Sequence, residues 1–147
     1  MKLAAFLCAA LLAACGQIPK DPDGTLDRIM AERRFRVGLI ATGHPPIGGD
    51  RTRLLLQRLA KDSGATPTFE TGASERLLAR LEEGALDLVI GELAPASPWA
   101  SNVTLMPPLG EQVSSAGHVH LAVAARNGEN AWIAFVQRRV RAVAAQP

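Results

Sequence analysis

From residue 25 onward, short apolar runs alternate with amphipathic stretches, and that alternation limits the fold more than any other feature of this chain. Residues 25–34, TLDRIMAERR, carry Leu26, Ile29 and Met30 at helical spacing behind Thr25, a good N-cap. Residues 35–41, FRVGLIA, form a short, partly branched apolar run and read as a buried strand. A helix over 50–64 follows, with Asp50 as cap, Leu54, Leu55 and Leu59 as its apolar face and Gly64 as its stop. TPTFET (66–71) alternates as a strand does; Ser74 then caps a helix that presents Leu77, Leu78 and Leu81 and stops at Gly84. Strands are expected at 86–93, 102–106 and 118–124, and Asn130 should cap a last helix through Trp132, Ile133, Val136 and Val140. Strands separated by helices mean βαβ units. The expected architecture is α/β: a three-layer lobe, its mainly parallel sheet of about five strands flanked by helices.

The first residues set a compartment. Lys2 supplies a positive start, residues 3–12 are almost wholly apolar, and LAAC (12–15) ends the run with small residues before a cysteine. About a dozen apolar residues are too few to span a bilayer, so this is a secretory leader rather than a permanent helix. LAAC resembles the bacterial lipobox, which implies a diacylglyceryl group on Cys15 and cleavage before it. Gly16 is not the aspartate associated with inner-membrane retention, which favours outer-membrane sorting. The organisation expected is a leader over 1–14, a lipidated cysteine and tether over 15–24, and one lobe over 25–147. GQIPKDPDG (16–24) is rich in Pro, Gly and Asp, with no apolar period, as a tether should be.

Several function classes drop out. Cys8 would leave with the leader and Cys15 would carry lipid, so no thiol remains for a disulfide, a zinc cluster or a nucleophile. Without Lys2, the 16 basic residues become 15 against 14 acidic ones, too even a balance for a nucleic-acid partner. Arg138, Arg139 and Arg141 end an amphipathic run, where they suit the helix dipole and read as a solvated face rather than a phosphate site. The chain holds no Gly-x-Ser-x-Gly elbow, His-Glu-x-x-His pair or phosphate-binding Gly-rich loop, and Glu70, Glu75 and Glu92 stand apart. No cofactor is expected, and no catalytic residue.

GTLDRIMAERRFRVGLI (24–40) resembles the opening of the bacterial extracellular solute-binding proteins of family 3, the periplasmic components of polar amino-acid ABC transporters. LLARLEEGALDLVIGEL (77–93) is similar to that family's second helix, Gly turn and third strand. NVTLMPPLG (102–110) and HVHLAVAARNGENAWIAFVQ (118–137) are similar to its strand before the crossover and to its returning hinge strand and helix. The resemblance implies a second lobe between those last two pieces. Here GEQVSSAG (110–117), read as a loop, stands in place of the whole excursion and is too short to hold a domain. It also implies a last strand that runs antiparallel.

Ligands of such sheets sit at the carboxyl ends of the strands. The candidates at that rim are Thr42, His44, Gly49 and Asp50 after the first strand and Trp99 after the third. Trp99 could stack on a planar ligand or simply plug the sheet end. The Gly48-Gly49-Asp50 turn could offer N–H groups to an anion or be an ordinary capped helix entry. The family's carboxylate-gripping arginine is absent from 94–101, and Arg51 and Arg53 do not match its motif. His44, His118 and His120 could approach one another at the rim, but solvated histidines are the preferred reading and no metal is expected.

Two functions follow. One is a lipid-anchored periplasmic protein resembling the substrate-binding component of an amino-acid ABC transporter, with an ABC permease or other envelope protein as partner and a small polar solute such as an amino acid as ligand. The other is a one-lobed scaffold lipoprotein that binds no solute. A single rim lacking the carboxylate arginine implies weak binding of any amino acid.

Overall fold

The computed structural model describes residues 21–41, 49–94, 97–114 and 117–146, with backbone only for 111–119. The expected leader, Cys15, Thr42 and His44 lie outside these residues. Among the described residues, four helices, α1 (Thr25–Glu32), α2 (Gly49–Ser63), α3 (Ser74–Glu82) and α4 (Asn130–Ala144), accompany six strands. The strands are β1 (Arg34–Ile40), β2 (Thr66–Gly72), β3 (Leu88–Leu93), β4 (Val103–Leu105), β5 (Gly110–Ser114) and β6 (Gly117–Arg126).

The sheet runs β2-β1-β3-β6-β4, with β5 also on β6. β2, β1 and β3 are parallel, as the helical crossovers between them require, and β6 returns antiparallel to β3. β4 and β5 share one flank of β6, against residues 124–126 and 117–121 respectively. Between them Met106 N–H donates to Val123 O and Leu109 N–H to Leu121 O, so the edge continues past Pro107 and Pro108.

The period of two divides the core. Phe35, Val37, Leu88, Ile90, Leu121, Val123 and Ala125 face a large cluster with α1, α2 and α4. Val89 and Ala124 face a smaller one built by Leu77, Leu78 and Leu81 of α3. Trp132 is fully buried; its ring lies 6.1 Å from Phe35 and 5.7 Å from Phe135, and its Nε1–H donates to Asp87 O at 2.7 Å. Gly64 and Gly84 stop α2 and α3 in the left-handed conformation (φ +65° and +76°) that side chains avoid.

Several local expectations change. GEQVSSAG is not a plain loop: residues 110–114 are β5, hairpinned onto β6 in place of an excursion. The expected caps Thr25, Ser74 and Asn130 are each the first helical residue, because the carbonyls of Gly24, Ala73 and Glu129 accept the opening i+4 bonds. Asp50 likewise lies inside α2, paired with Arg53 at 2.7 Å. Met30 is 42% exposed rather than core, since α1 packs chiefly through Ile29. Residues 21–24, expected as tether, are held to the body: Asp21 Oδ2 accepts Leu26 N–H, and Glu129 accepts the N–H groups of Asp23 and Thr25. Of the basic cluster, Arg138 and Arg141 are exposed, but Arg139 ties α4 to α2 through Asp62 and lies 3.5 Å over the Phe135 ring.

Candidate functional site

Parallel β1 and β3 bring their carboxyl ends side by side, and α2 starts beside them. In that corner lies a cavity of about 760 Å³. Leu39, Ile40 and Ala41 at the end of β1, Ile90 and Gly91 from the middle of β3 and Leu121 of β6 form its floor. Gly49, Thr52, Arg53, Leu56, Gln57 and Ala60 of α2 form one wall, and Pro67, Phe69 and Thr71 of β2 the other. The β2 residues share one strand face, and Phe69 is 55% exposed.

The polar groups here are few. Thr52, Gln57 and Thr71 are neutral, and Arg53 is the one charged residue among the described residues of the wall. Its guanidinium pairs with Asp50, whose side chain is 89% exposed. The first turn of α2 adds positive potential.

The expected rim residues separate in space. Gly49 lies in the cavity wall, and Asp50 sits beside it, engaged with Arg53. Trp99 does not line the cavity; it packs against the α3 cluster from a 3-10 turn, Pro98–Ser101, whose start Ser97 caps. That is the plug arrangement. Arg51 also turns away, donating to Leu109 O at 2.7 Å and Gln146 O at 3.3 Å. His120 sits opposite Leu93 and Glu111 in the sheet. Among the described residues no three His, Cys, Asp or Glu side chains gather as a metal site would need.

The α2 and β2 walls escaped sequence reading. Leu54, Leu55 and Leu56 are consecutive, so one helix face cannot bury them all, and Leu56 is the one left to the cavity. Phe69 in an alternating strand gave a similar signal, an aromatic on a face with nothing assigned to cover it.

The opposite, amino ends of the strands hold a charged cluster. Asp87, just before β3, is 3% exposed. It accepts from Arg28 Nη2, Arg36 Nη2 (2.7 Å), Arg36 Nε (3.1 Å) and Arg36 N–H (2.7 Å). Its hydrogen bonds raise the Arg36 pKa further against the lowering effect of burial. Nearby, burial and the adjoining Glu129 push Asp21 up to about 6. Burial would raise Glu129 too, but hydrogen bonds from Asp21, Thr25 and Asp23 outweigh it and hold Glu129 at about 2. Asp21 Oδ1 is buried without an N–H or O–H to receive, in keeping with the raised pKa of its carboxyl group. The hydrogen bonds of this cluster hold residues 21–28 and the start of β3 together.

No family model and no curated protein matches the sequence. Solved structures do. Domain 1 from TmArgBP in its arginine-bound form aligns with a TM-score of 0.66 at 18% identity, over 79% of this chain and 98% of that one. The ancestral amino-acid-binding protein AncCDT-1, described as a precursor of cyclohexadienyl dehydratase, aligns with a TM-score of 0.63 at 14% identity, over 80% and 92%. A Salmonella typhimurium periplasmic binding protein of high arginine specificity gives 0.62 at 11%, over 78% and 95%. Among the described residues no helix is long and apolar enough to cross a membrane. The fold of this chain is that of a single lobe of the amino-acid-binding periplasmic proteins.

Proposed function

We propose that this chain is a periplasmic, lipid-anchored solute-binding lobe that holds a small molecule at its carboxyl-end rim and performs no chemistry on it. The observation that carries the reading is the cavity of about 760 Å³ that opens beside the end of β1 and runs between α2 and β2. It lies where open α/β sheets take ligands, and its volume falls in the range of small-molecule sites. A structural neighbour described as the arginine-bound form of a single domain supports a role for a lone rim in binding. The described wall offers hydroxyls, an amide and a guanidinium but no carboxylate, imidazole, amine or thiol to act as base or nucleophile, which supports binding over catalysis.

Cys15, in LAAC behind the apolar run, would carry the lipid, placing the lobe on the periplasmic side of the membrane, with the outer membrane preferred. Metabolic labelling with a fatty-acid analogue tests this: the wild-type chain takes up label and Cys15→Ser does not. Equal labelling of the two rejects the anchor. An ABC permease or another envelope protein would then be the partner.

Equilibrium dialysis of the full chain in phospholipid vesicles, against the amino acids and their deaminated analogues, tests the site. Ala60→Trp fills the cavity from α2 and should abolish whatever binding the wild type has. Unchanged binding in that variant would place the solute elsewhere. The scaffold reading keeps one observation in its favour: β2 is an outer strand with Phe69 exposed, a surface suited to another protein.

A further inference from the structure

If the rim cavity is the binding site, as proposed, its wall also bears on the class of solute. The floor and sides are aliphatic or aromatic: Ile40, Leu56, Ala60, Phe69, Ile90 and Leu121. The single charge among the described wall residues is cationic, on Arg53. The first turn of α2, which opens on the same corner, adds the positive end of the helix dipole, offset by the Asp50 carboxylate in that turn. A free amino acid brings an ammonium as well as a carboxylate, and an enclosed ammonium needs a carboxylate or several carbonyls.

The nearby acids do not supply one. Asp50 stands outside the wall, bound to Arg53 at 2.7 Å and almost fully exposed. Glu70 is held by Arg76 and Arg80, and Glu92 is not in the wall. A cationic side chain such as arginine's would meet a still worse mismatch against Arg53. A carboxylate fits: Arg53 spends only Nη2 on Asp50 and keeps further N–H donors on an exposed guanidinium, so it can take a second carboxylate without releasing Asp50.

We infer that the rim site takes a monocarboxylate with an apolar body and no ammonium, seated on the aliphatic floor with its carboxylate toward Arg53. This separates the chain from neighbours described as arginine-bound or arginine-specific.

The probe pair is 4-methylpentanoate and leucine, which differ by the ammonium alone, with arginine as the third ligand. Equilibrium dialysis uses the full chain in phospholipid vesicles, with protein-free vesicles subtracting partitioning. 4-Methylpentanoate should bind roughly tenfold more tightly than leucine, the factor expected when one buried donor group lacks a partner. Arginine should bind least. Arg53→Gln should weaken 4-methylpentanoate by about threefold, the scale of a partly exposed ion pair. Arg53 is 69% exposed, so the variant should keep the wild-type circular dichroism.

Tighter binding of leucine or arginine than of 4-methylpentanoate overturns this solute class and leaves the rim site standing. So does 4-methylpentanoate binding that is indifferent to Arg53→Gln. Failure of all three probes, with the amino-acid panel also silent, rejects the rim site itself.

Discussion

Replacing Asp87 by Asn should be among the most damaging polar substitutions in this chain, although it changes one oxygen to a nitrogen. The Asp87 carboxylate is 2% exposed and takes donors from Arg28 and Arg36, and the Arg36 backbone joins them. An amide keeps one acceptor, but its NH₂ must face a guanidinium, and the charge that balances two cations is gone. Breaking a buried ion pair by removing one partner costs about 3–5 kcal/mol. Here the arginines keep 29% and 34% of their side-chain surface exposed, so water can rehydrate them and the lower end applies, about 3 kcal/mol. For a domain of this size that corresponds to a fall of roughly 10 °C in melting temperature. Thermal melts followed by circular dichroism, with Asp62→Asn at a surface pair as control, would measure it. A loss within 2 °C of that control, on the order of the shift expected from a surface pair, would show that the Asp87 charge is dispensable and that the Arg28–Asp87–Arg36 cluster does not hold β3 in register.

Trp132→Ala should cost about 3–5 kcal/mol by chemical denaturation, because the ring is fully buried and Asp87 O loses its indole N–H donor. A cost under about 1 kcal/mol would mean the core refills the space. The Asp21–Glu129 pair gives a pH signature. Asp21, raised from 3.8 to about 6, contributes less stability as pH climbs through that window, since the folded state must give up a proton the unfolded chain lost earlier. Glu129, lowered from 4.5 to about 2, contributes stability above the unfolded value that is lost as pH falls toward 2. Asp21→Asn should therefore flatten the decline between pH 4 and pH 7 by on the order of 1 kcal/mol and help at neutral pH, as melts across that range would show. An unchanged slope would mean that the Asp21 carboxyl group is not raised in the folded chain.

The sequence by itself determined the class of fold and the order of its elements, because hydrophobic period is a local property. FRVGLIA, LDLVIGEL and HVHLAVA are apolar in the way of buried strands, and the leucines of α2 and α3 recur at helical spacing whatever lies nearby. The stops at Gly64 and Gly84 were legible for the same reason, since a left-handed residue ends a helix on its own account.

Helix starts were less legible. The groups that satisfy the first N–H donors of α1 are Asp21, five residues from its partner, and Glu129, which is more than a hundred residues away. The hairpin of β5 on β6 was hidden because GEQVSSAG has no apolar alternation; its pairing comes from the β6 edge it lies against.

The site depended most on tertiary structure. Gly49 and Asp50 were marked by their place after the first strand, but the cavity wall joins α2 to β2, and only packing brings Leu56, Ala60 and Phe69 together. Trp99 shows the converse: its position in the sequence suited a ligand, while in the fold it packs, half-buried, against the α3 cluster and does not line the cavity. Side-chain chemistry can be read along a chain, but which chemistry shares a cavity is set by the sheet order, and that is a property of the folded whole.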